Sequence, residues 1–255
     1  MVPPWVPDAP PSDDQDDGFG GTPATLPIPI APAGRFRPSR FRLGRYAQSG
    51  SAEEMRRGVG HYVKKGLGGA GTAVRRFGGT ARTAGTLYGA LSSAAAGQPA
   101  APGSPLDPSL LAGRTANEII DAVIEAVRRV DGTQDAEASR IAIGDALSGL
   151  LDRFPEADLL NLSEDQRLLV IERYVAVDVY NRFCLDVGKT IQDKAPTLAA
   201  ALARLKEAKD YVTQVISAAF RKTLSAHGAL NAGRIIQMVR QALTDAFRVF
   251  EDYVR

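Results

Sequence analysis

Proline placement constrains this chain more than any other feature. Proline has no backbone N–H and breaks a helix interior. Ten of the 16 prolines fall within residues 1–50 and four more within 98–112, leaving only Pro155 and Pro196 beyond. The 143 residues from 113 to 255 are therefore free to be continuously helical, and the first fifty are not.

The pattern after residue 112 is that of an α-helical domain. Thr115 with Glu118 makes a capping box ahead of Ile119, Ile120, Val123, Ile124 and Val127. Asp131-Gly132 is a turn, and Thr133 or Asp135 caps a helix to Phe154 with Ala138, Ile141, Ala142, Leu147, Leu150 and Leu151 inward. Ser163 with Gln166 opens a long helix from Glu164 to about Asp193. Pro196 fits the first turn of the next, which stops at His227-Gly228, and Asn231 caps the last, about 232–254. Five helices with short connections and no strand alternation predict an all-α bundle.

Three segments precede it. Residues 1–50 read as an extended arm: Pro-rich and acidic, with Asp8, Asp13, Asp14, Asp16 and Asp17 and no basic residue before 31, then Arg-rich. "LPIPIAP" (26–32) favours polyproline II. Residues 51–97 are basic and Gly/Ala-rich. Ser51 with Glu54 opens a helix over about 52–65, and Val74, Phe77, Ala81, Ala84, Tyr88 and Leu91 mark a second over about 71–95. Ten glycines between 58 and 89 weaken both, so this segment needs a partner or the C-terminal domain to firm it. Residues 98–112 read as a linker, so a protease-resistant fragment is expected to start between about 98 and 115.

Candidate chemistry is sparse. His61 and His227 lie in different segments and Cys184 is the single cysteine, which excludes a zinc cluster or an internal disulfide. Cys184 sits at core spacing from Tyr180 and Val187, and His227 suits a helix C-terminus. "GLGGAG" (66–71) lacks the Gly-Lys-Ser/Thr spacing and preceding strand of a phosphate loop. The charges along 164–193 alternate in sign as on a solvated face, with Asp178 and Asp186, flanked by apolar residues, as interface candidates. No catalytic residue, cofactor or metal is expected, and the reading is of a non-enzymatic binding protein. The N-terminus has neither the basic nor the apolar region of a signal peptide and no apolar run spans a membrane, so a cytoplasmic protein is expected.

"GRFRPSRFRLGRYAQSG" (34–50) concentrates the binding candidates. Arg35, Arg37, Arg40, Arg42 and Arg45 interleave with Phe36, Phe41 and Tyr46, and His61 and Tyr62 follow in the basic helix. Arginine and aromatics serve single-stranded nucleic acid and protein interfaces alike. Pro38 and Gly44 favour an extended strap lying across a partner protein, anchored by Trp5, Phe36, Phe41 and Tyr46. Nucleic-acid binding through 35–82 is the alternative.

Residues 2–92, with "VPPWVPD", "RFRPSRFRLGRYAQSG" and "VGHYVKKGLGGAGTAVRRFGGTARTAGTLYGAL", resemble the QatB family of the Qat anti-phage defence system. The resemblance implies a non-catalytic adaptor that acts with an ATPase, a QueC-like enzyme and a TatD-like nuclease of one operon. It also implies that the QueC-like enzyme recognises the N-terminal leader and joins a deazaguanine base to an N-terminal glycine. Position 2 here is Val2, so no modified residue is assigned.

Overall fold

A computed structural model describes residues 34–224 and 230–254. Every regular element among them is helical. In order these are α1 (Arg37–Ser49), α2 (Ala52–His61) running into a π-turn (Tyr62–Gly66), α3 (Ala70–Arg76), α4 (Gly78–Ala95), the short α5 (Pro108–Leu111), α6 (Ala116–Val127) and α7 (Gln134–Arg153). Then follow α8 (Glu164–Phe183), a second π-turn (Cys184–Gly188), α9 (Lys189–Lys194), α10 (Leu198–Leu224) and α11 (Ala232–Asp252).

The starts are where side chains can satisfy first-turn N–H groups. Thr115 and Ser163 form the capping boxes with Glu118 and Gln166, and Ser51, Thr133 and Asn231 accept from the N–H groups of Glu54, Ala136 and Arg234. The helix expected over 164–193 is α8, the π-turn and α9 in unbroken succession. The all-α bundle therefore holds. Its count of helices grows because residues 37–95 join the same core.

That joining corrects the expected organisation. Residues 37–49 are a helix and not an extended strap. Pro38 sits in the first turn, where a missing N–H costs nothing, and Gly50 ends the helix in the left-handed region at φ 72°. Leu43, Tyr46 and Ala47 form the buried stripe of α1. α4 lies between α8 and α11, with Ala81, Ala84, Leu87 and Leu91 buried on one face. Phe77 meets the Phe247 ring of α11 at 5.3 Å. Even the Pro-rich 98–112 is tied down: Leu106 is fully buried and its carbonyl accepts from the Ala100 N–H.

Two glycines counted against helix formation are sites of close approach. A Cβ on Gly85 would stand 2.6 Å from Ile236 Cγ1 and 2.9 Å from the Ala232 carbonyl, and one on Gly60 would stand 2.6 Å from the Phe250 carbonyl. Their cost to helix propensity is offset by backbone proximity to α11 that a side chain would forbid. One inward assignment fails: Ile141 is exposed and Ile143, two residues on, is buried in its place.

Candidate functional site

The Arg-aromatic segment divides into a buried and an outward set. Phe36 stacks on Tyr62 with centroids 5.6 Å apart, and Tyr62 meets Phe183 edge-on at 5.2 Å. The Tyr62 hydroxyl donates to Asp186 Oδ2 at 2.9 Å, and Arg40 Nη2 donates to the Asp186 carbonyl at 2.9 Å. Tyr46 is fully buried and its hydroxyl reaches the Arg204 carbonyl at 2.9 Å and Glu207 at 2.8 Å. Phe36, Tyr46 and Tyr62 are thus committed within the chain and cannot anchor a strap. Asp186, a candidate for an interface, is the partner of Tyr62.

The outward set is smaller. Phe41 is 61% exposed at the apex of α1, opposite the buried stripe. The exposed Arg37 and Arg45 stand one helical turn either side of it. Arg42 lies 5.8 Å from the Phe41 ring, and Arg42 and Arg45 share Glu54 at 3.2 and 3.5 Å. Arg35 covers the Phe36 ring at 4.5 Å. His61 is half-buried. Burial and the nearby Arg42, Lys65, Lys64 and Arg57 hold its pKa below the usual value, so the ring is neutral at pH 7. Trp5 and His227 lie outside the described residues.

Burial is the largest influence on the Asp186 carboxyl and pushes its pKa up, against the Tyr62 hydroxyl and Arg35. The folded chain therefore keeps this proton to higher pH than the unfolded chain does. Its contribution to stability grows as pH falls through the folded pKa and is lost above it. Asp186→Asn preserves an oxygen for Tyr62 and removes the buried charge. Its melting temperature should exceed the parent's where the parent's carboxyl is charged, with the difference shrinking as the pH falls and that carboxyl takes up its proton. A difference that widens on acidification would contradict this.

A second cluster was not foreseen in its role. Asp178 on α8 is fully buried and accepts from Thr80 Oγ1 at 2.5 Å, Ser139 Oγ at 2.7 Å and Arg182 Nε at 3.2 Å. Arg182 also meets Asp135 at 2.6 Å and lies 5.4 Å from the Phe77 ring. One carboxylate thereby ties α4, α7 and α8 together. The available signal was a charged residue between Val177 and Val179 on an apolar face. Cys184 is half-buried, and burial pushes its thiol up, away from a reactive thiolate.

Among the described residues no cluster of metal-ligating side chains occurs, and no helix is long and apolar enough to cross a membrane. The fold is that of an all-α protein, with a basic-aromatic outer face on α1. The family model described as "Qat anti-phage system associated protein QatB" matches residues 68–250, well over half of the chain. The chain belongs to the QatB family, and so to the proteins of the Qat anti-phage defence system. Neither the curated proteins nor the solved structures gave a match.

Proposed function

We propose that this chain is a non-catalytic adaptor of the Qat system and the acceptor substrate of its QueC-like enzyme, which recognises the leader ahead of α1. The observation that carries this reading is the outer face of α1. The helix begins the described body directly after the leader, and it presents an exposed Phe41 between Arg37 and Arg45 while its other aromatics are packed inward. Its single exposed ring and flanking guanidiniums are the residue types that dominate protein interfaces. The same arrangement disfavours single-stranded nucleic acid, because Phe36, Tyr46 and Tyr62 are withdrawn from base stacking.

The test is pairwise co-purification of this chain with the QueC-like enzyme, the ATPase and the TatD-like nuclease, with intact-mass measurement of the chain after incubation with the first. A stable pair with the QueC-like enzyme is expected. Phe41→Ala should weaken it by about 2 kcal/mol, roughly thirtyfold, without lowering the melting temperature. Arg37→Ala and Arg45→Ala should cost less and fade at high salt. Absence of any pair, together with steeply salt-dependent binding to DNA or RNA, would replace the adaptor with a nucleic-acid-binding protein.

A further inference from the structure

A cavity of about 180 Å³ opens where α4, α6, α7 and α8 meet, lined by Gly79, Arg82, Thr83, Thr86, Val127, Arg128, Ser139 and Arg182. Three arginines from three helical segments line it. The carboxylates that accompany them do not line it: Asp131 pairs with Arg128 at 2.9 Å, and Asp135 and Asp178 pair with Arg182. Arg82 meets no carboxylate among the described residues, so the lining carries a cation without a counter-charge.

The donors left over include guanidinium N–H groups. Ser139 Oγ donates to Asp178 and Thr86 Oγ1 donates to the Arg82 carbonyl, which commits both hydroxyl protons. Arg128 Nε is buried and has no hydrogen-bond partner, a state that is unfavourable unless something accepts from it. Arg182 is held in place by two carboxylates and the Phe77 ring, and its remaining nitrogen, Nη2, would stand 3.8 Å from a Cβ on Gly79.

We infer that this cavity is a binding site for a phosphate-type oxyanion, held by Arg82, Arg128 and Arg182. Guanidinium forks match the oxygens of phosphate in pairs, which an ammonium cannot do. The volume is many times what one water requires. The ligand enters either as free phosphate or as the terminal phosphoryl group of a larger molecule. The site lies on α4, α6, α7 and α8 and uses no residue of α1, and so stands or falls independently of the adaptor reading.

The experiment is calorimetric titration of the full chain with inorganic phosphate at fixed ionic strength, with chloride as control. In parallel, the Nε–Hε resonances of the arginines are followed by NMR. Saturable binding in the millimolar range or tighter is expected, with the Arg128 Nε–Hε resonance moving on phosphate and not on chloride. Arg82→Gln, at an exposed position, should leave the melting temperature unchanged and weaken phosphate at least about tenfold. Arg128→Gln should weaken it similarly. A second arm compares a 5′-phosphorylated dinucleotide with its dephosphorylated form. Preference for the phosphorylated form over inorganic phosphate assigns the terminal-phosphoryl source, and the reverse order assigns the free ion. The proposal is overturned if phosphate behaves as chloride does, or if Arg82→Gln binds phosphate as tightly as the parent.

Discussion

A chain that begins at residue 98 should fail to fold as a monomer. The Pro-rich boundary suggests that the bundle would survive such a cut, but α4 fills the space between α8 and α11. Residues before 98 bury Leu43, Tyr46, Val59, Tyr62, Val63, Leu67, Phe77, Leu87, Tyr88 and Leu91 against that core. Burying one such side chain stabilises by about 1.5–3 kcal/mol, whereas a domain's whole margin is about 5–15 kcal/mol. Truncation also strips Thr80 from Asp178 and leaves Phe247 without Phe77. The 98–255 fragment should aggregate or lose its near-ultraviolet dichroism, while a chain starting at Gly34 should melt cooperatively. A monomeric 98–255 fragment with a sharp thermal transition would show that the two halves fold separately.

Asp178→Ala should be the most damaging single substitution outside the apolar core, at about 3–5 kcal/mol. Its loss leaves Arg182 with only the half-exposed Asp135, orphans the Thr80 hydroxyl inside the protein and leaves Ser139 with only the Tyr174 hydroxyl at 3.3 Å. The cost belongs to breaking the cluster and not to lacking charge. Asp178→Leu combined with Arg182→Leu should therefore destabilise by less than the two single changes added together. Denaturant titrations of the four proteins measure this directly. Additive effects would mean that Asp178 and Arg182 act independently.

These two expectations mark where the sequence was legible and where it was not. Capping boxes are local, and those at Thr115 and Ser163 are found where the spacing places them. α1 was missed because Pro38 and its arginines suggest an extended, solvated strand of chain. Proline in a first turn is compatible with a helix, however, and Phe36, Leu43, Tyr46 and Ala47 lie on one helical face. The glycines of 58–89 carry a propensity cost that is local, whereas what offsets it at Gly60 and Gly85 is α11, more than a hundred residues away in sequence. The arginine-lined cavity has no sequence signature at all. Arg82, Arg128 and Arg182 are spaced by tertiary packing alone.

The π-turn at Cys184–Gly188 has a consequence for how the long helix stays registered against its neighbours. Ile171, Val175, Val179, Phe183, Val187 and Ile191 are all buried, one at every fourth position. In an unbroken α-helix each four-residue step advances about 40° around the axis, so a row of this length would wind through about 200° and carry Ile191 to the far side. The π-turn accommodates one surplus residue and takes back about 100°. The outward Leu185, 51% exposed, lies within that turn. The bulge is thus a phase correction: it lets a strict four-residue period serve a helix whose natural period is 3.6. A one-residue deletion there would leave the helix regular and turn α9's apolar side away from α1.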